Sequence, residues 1–107
     1  MNSIPDYIKV AGITYKVQEV DGILEKFNIL GQINYHKGII ELDTELPLDR
    51  KEQTFIHEVL HAVFKEAGYD EQDEEMIDRV SMVLYQVLKD NYLFFNNYKL
   101  MDKIGGI

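Results

Sequence analysis

The sequence predicts an α+β domain, in which a small sheet from the first half of the chain packs on two helices from the second. Three observations carry this. Residues 7–42 hold short runs rich in β-branched and aromatic side chains, separated by breaks that contain Gly. From residue 49 the apolar residues recur instead at three- and four-residue spacing, as on a helix. The chain has 107 residues, 46% of them hydrophobic, which suits one domain spanning 1–107 with a modest core.

Each element has a local reason. Tyr7 to Val10 and Ile13 to Val20 are expected strands, with Ala11-Gly12 as the break between them. Residues 21–30 are ambiguous between a strand, a short helical turn and a loop. Gly31 to Tyr35 and Gly38 to Leu42 read as two further strands joined around His36-Lys37-Gly38, so the sheet is antiparallel or mixed. The nearly continuous apolar run before Asp43 marks its strand as substantially buried. A first helix is expected over about 49–67, with Asp49 and Glu52 as a capping box and Gly68 ending it. Phe55, Ile56, Val59, Leu60, Val63, Phe64 and Ala67 cover most of its circumference, which predicts the most buried element. A second helix is expected over about 71–90, with Ile77, Val80, Leu84, Val87 and Leu88 facing the core. The apolar residues after Asn91 have no clean period and are expected to pack back on the sheet or to wall a pocket.

Composition narrows the function. Eleven basic residues stand against nineteen acidic ones, a net charge of −8, and such a surface repels nucleic acid and anionic lipid. The absence of Cys excludes disulfides, thiolate zinc clusters and a cysteine nucleophile. No run of about 18 apolar residues is available to span a membrane. The opening residues, Met1 to Asp6, lack the basic and apolar regions of a signal peptide, so the expected location is the cytoplasm.

His57-Glu58-Val59-Leu60-His61 is the informative stretch. Residues four apart lie one above the other on a helix, so His57 and His61 can share one metal ion. Imidazole nitrogens suit zinc, and two of them leave room for a third ligand and a water. Glu58 lies about 100° around the helix from His57, within reach of a water but not on the ligand face. That is the arrangement of a zinc peptidase, where the metal lowers the water's pKa and the glutamate takes its proton. The pattern arises by chance in roughly one chain in several hundred of this length. Here it holds two of the three histidines and falls in a helix expected to be buried, where unpaired imidazoles are costly.

No histidine follows His61, so the third ligand must be a carboxylate. Asp70, Glu71, Asp73, Glu74, Glu75 and Asp78 open the second helix, which a turn around Gly68 brings back beside the first. Glu74 and Asp78 share a helical face, so one can ligate while the other orients a ligand histidine. Glu75 is the competing ligand. Tyr85 continues the same face and is a candidate hydrogen-bond donor to the reacting oxyanion, with Tyr69 and Tyr92 behind it. His36 is expected to be an exposed turn residue.

The run Gln53 to Val63, with Glu74 four residues before Asp78, resembles the zincin peptidases that use a glutamate as third ligand. Within them it is most similar to the small metallopeptidases of the ImmA/IrrE type, often encoded by phages or mobile elements. The strand Ile39 to Asp43, shortly before the motif helix, fits the same pattern, and the likeness covers about residues 31–91. The family's Glu-x-x-Ala-Asn here reads Glu74-Glu75-Met76-Ile77-Asp78. The resemblance implies zinc held by His57, His61 and Glu74, Glu58 as general base and Asp78 behind a ligand histidine. The expected partner is a protein or peptide substrate, regulatory proteins included, bound in extended form along an edge strand near Ile39 to Asp43. The competing expectation is a regulatory module of the same fold that holds zinc and cleaves nothing.

Overall fold

In the computed structural model the described residues are 3–93. Their order is β1 (Tyr7–Val10), β2 (Ile13–Val20), α1 (Ile23–Phe27), β3 (Gly31–Asn34), β4 (Ile39–Asp43), α2 (Leu48–Glu66) and α3 (Glu74–Asp90). The class is α+β, with strands before the two long helices. The ambiguous 21–30 segment resolves as the short helix α1, bracketed by Gly22 and Asn28 in left-handed conformations. The expected packing of Phe94, Phe95, Tyr98, Leu100 and Met101 lies outside the described residues, and Leu93 is exposed.

The four strands form one mixed sheet in the order β1-β2-β4-β3. β1 and β2 form an antiparallel hairpin, β2 and β4 run parallel, and β3 pairs antiparallel with β4. β4 is therefore an interior strand. Its near-continuous apolar run follows from that position, with Ile40 and Leu42 buried. The edge expected at Ile39 to Asp43 is corrected: the edge strand on this side is β3.

α2 crosses β1, β3 and β4, and α3 lies along α2. The core gathers Tyr15, Val17, Ile40, Leu42, Phe55, Ile56 and Ala62, with Leu84, Tyr85 and Leu88 of α3 packed against it. α2 is not buried all round, because Val63 is 43% exposed and the motif face opens on a cleft. On α3, Ile77 is fully buried, whereas Val80 and Val87 are exposed rather than core. The capping box does not form. Pro47 occupies the N-cap of α2 without a side-chain bond, and Glu52 is instead fully buried. Its carboxylate accepts from Tyr85 (2.8 Å), Lys89 (2.6 Å) and Ser3, tying the N-terminal segment and both long helices together.

Gly31 sits where β3 meets α2. A Cβ there would lie 2.7 Å from Thr54 Cγ2 and 2.8 Å from the Glu41 carbonyl oxygen. Gly31→Ala is therefore expected to destabilise the fold by about 1–3 kcal/mol. Urea unfolding checks this, and an unchanged midpoint would contradict the close approach of helix and strand.

Candidate metal centre

His57 and His61 project from the same side of α2, their ring centroids 4.9 Å apart. Across from them, α3 starts at a defined residue. The Asp73 side chain caps it by accepting from the backbone N–H groups of Glu75 and Met76. With Ile77 buried, that start turns Glu74 and Asp78 towards α2. Glu74 Oε1 lies 3.0 Å from His57 Nε2, and Glu74 Oε2 lies 3.2 Å from His61 Nε2. Among the described residues, His57, His61 and Glu74 are grouped with ligand atoms all within 4.8 Å of one another.

The hydrogen bonds around the rings place a hydrogen on each Nδ1. His57 Nδ1 faces Asp78 Oδ1 at 3.1 Å, and a carboxylate only accepts, so Nδ1 carries the hydrogen. His61 Nδ1 faces Gln72 Oε1 at 2.7 Å. The Gln72 amide cannot be reversed, because its Nε2 lies 3.4 Å from the His61 carbonyl oxygen and 3.3 Å from the Tyr69 carbonyl oxygen. His61 Nδ1 is therefore also a donor. Each Nε2 in turn faces Glu74, so these contacts are met either by a hydrogen on Nε2 or by a cation held between Nε2 and the carboxylate. Two imidazole nitrogens and a carboxylate at this spacing could hold a metal ion. A tetrahedral zinc ion with ligands at about 2.0–2.1 Å would separate them by roughly 3.3 Å, and the N,N,O donor set suits that metal.

Glu58 is turned away from this face and buried, 6% exposed. Among the described residues, nothing hydrogen-bonds its carboxylate. Burial pushes its pKa from 4.5 up to about 7; the Glu74 and Asp78 charges add to the rise and His61 opposes it. A buried carboxylate without partners is destabilising, and such groups concentrate where chemistry uses them.

His57, Glu58, His61, Glu74 and Asp78 all line one cleft of about 720 Å³, together with Tyr35 at the end of β3. Glu75 points elsewhere, 3.8 Å from Arg79 on the exposed side of α3. Tyr85 is corrected: its hydroxyl donates to Glu52, and it does not line the cleft. Tyr69 packs its ring on Phe64, Tyr92 is exposed, and His36 is an exposed turn residue as expected. Sequence reasoning missed Gln72 and Tyr35. Gln72 is neutral within an acidic run, and Tyr35 reads as one more strand aromatic, so neither carries a signal without the fold. No protein-family model, curated protein or solved structure matches the chain. Among the described residues, no helix is long and apolar enough to cross a membrane.

Proposed function

We propose that the protein is a zinc-dependent peptidase of the zincin type, similar to the ImmA/IrrE metallopeptidases, with His57, His61 and Glu74 holding the metal. The observation that carries this is the convergence of two imidazole Nε2 atoms and a carboxylate, with both Nδ1 hydrogens committed to Asp78 and Gln72. Asp78 and Gln72 orient the ligand rings and raise their basicity. Zinc, when bound, supplies a Lewis acid that acidifies water and polarises a carbonyl. Glu58 is the base that takes the proton from the attacking water and passes it to the leaving amine.

The substrate is an extended peptide. β3 ends the sheet, so its outer backbone groups have no strand partner among the described residues. Gly31, Gln32 and Ile33 of this strand line the cleft, where an added peptide strand would run past Glu58. A protein substrate in the cytoplasm, a regulatory protein among the candidates, is consistent with the acidic surface. Nucleic acid and membrane play no part in this reading.

The third ligand supplies the test. Glu74→Gln is expected to weaken zinc affinity far more than Glu75→Gln, measured by competition with a chelator. Asp78→Asn, which leaves the ligands intact, is expected to lose about 10- to 100-fold. Equal effects of the two glutamate substitutions would remove Glu74 from the site.

A further inference from the structure

The cleft contains a phenol whose proton is unused. Among the described residues, the hydroxyls of Tyr15, Tyr35 and Tyr85 are in hydrogen bonds that differ in direction. Tyr15 donates to Glu66 at 2.7 Å and Tyr85 to Glu52 at 2.8 Å. Tyr35 is the opposite case. Its oxygen lies 3.3 Å from Gln72 Nε2, and an amide NH₂ can only donate, so Tyr35 is an acceptor, sharing the two amide hydrogens with the carbonyls of His61 and Tyr69. The orientation of that amide is forced by the carbonyls of His61 and Tyr69. The hydroxyl hydrogen of Tyr35 is thus left over, and among the described residues nothing accepts it.

The position of that hydrogen gives it a use. Tyr35 lines the cleft beside Glu58 and the three ligand side chains, and its phenol lies within electrostatic reach of both Glu58 and Glu74. The ring is half-buried at the end of β3, with Lys65 Nζ 5.7 Å from its centroid. Gln72 bonds His61 through one end of its amide and Tyr35 through the other, so one side chain sets both.

We infer that Tyr35 donates a hydrogen bond to the oxygen of the scissile carbonyl as that oxygen gains negative charge, and that Gln72 is the residue positioning it. This inference rests on the peptidase reading above. Water adds to the carbonyl carbon, its proton passes to Glu58, and the carbonyl π electrons move onto the oxygen that Tyr35 faces. The C–N bond then breaks as the amine takes the proton from Glu58, and no further reactant is needed.

The experiment uses zinc and acetohydroxamate as probes, because neither needs a known substrate. Tyr35→Phe is expected to keep wild-type zinc affinity and to bind acetohydroxamate about 10-fold more weakly. Gln72→Leu is expected to lose about 10- to 100-fold in zinc affinity as well. Gln72→Glu restores an acceptor for His61 Nδ1 but not the donor to Tyr35, so it should recover zinc and keep the acetohydroxamate defect. On any peptide found to be cleaved, Tyr35→Phe should lower kcat by about 10²–10³-fold with little change in KM. Wild-type acetohydroxamate binding by zinc-loaded Tyr35→Phe would overturn the inference and leave the metal site standing. Failure of the unaltered protein to bind zinc would overturn the reading beneath it, an outcome no Tyr35 variant can mimic.

Discussion

Glu58→Gln is expected to abolish peptide cleavage while leaving zinc content and fold intact. Removing a general base costs about 10²–10⁴-fold, and more when the same group returns the proton to the amine. The retained fold follows from what Glu58 touches: it is no ligand, and among the described residues its carboxylate holds no hydrogen bond. Its stability effect also has a predicted sign. In metal-free protein the Glu58 carboxyl titrates near 7 against an ordinary 4.5, a rise set first by burial. An acid with a raised folded-state pKa costs stability as pH climbs from about 4.5 to 7, because the unfolded chain ionises first. The cost at full ionisation is about 3 kcal/mol, and Gln does not incur it. Thermal melts of metal-free protein at pH 5 and pH 7.5 should therefore show the variant gaining on the wild type at the higher pH. Cleavage is best followed in cells, by comparing the proteomes of wild type and variant for new termini. New termini that require Glu58 establish the enzyme. A biological effect equal in both proteins would favour a zinc-holding regulatory module and end the hydrolase reading.

His61→Ala is the second large effect, and it needs no substrate. The wild type should carry close to one zinc per chain when purified without chelator, and the variant almost none. His61 brings more than a nitrogen, because its Nδ1 bond to Gln72 ties the α2–α3 connection to the site. Zinc that binds only the folded state stabilises it by RT ln(1 + [Zn]/Kd), about 4 kcal/mol at a thousandfold excess over Kd. Chelator should then lower the melting temperature of the wild type and leave that of His61→Ala unchanged. Wild-type protein that stays metal-free in added zinc at neutral pH would sink the site.

The two halves of the site differ in how legible they were. His57, Glu58 and His61 lie within one helical turn, and helix geometry is local, so their relative directions could be read from spacing alone. The acidic opening of α3 was equally visible, but as a crowd of carboxylates. Glu74 separates from Glu75 only because Asp73 caps the helix and Ile77 is buried, which fixes the rotation of α3 about its axis. The hydrogen bond from Tyr85 to Glu52 is hidden from the sequence for the same reason. The place of Tyr85 on the helix was clear, but its partner Glu52 lies 33 residues away.

The sequence by itself determined the class of the fold, the identity of all four strands and both long helices, and the motif on α2, since each depends on neighbours within a few residues. Tertiary structure alone decided the rest. Strand order is a matter of long-range pairing, so only the folded sheet shows that β4 is interior and that β3 forms the edge beside the cleft. Gln72 and Tyr35 are neutral side chains from separate segments, 37 residues apart. What each can donate or accept follows from which atoms the fold sets against it, and no spacing in the chain encodes that.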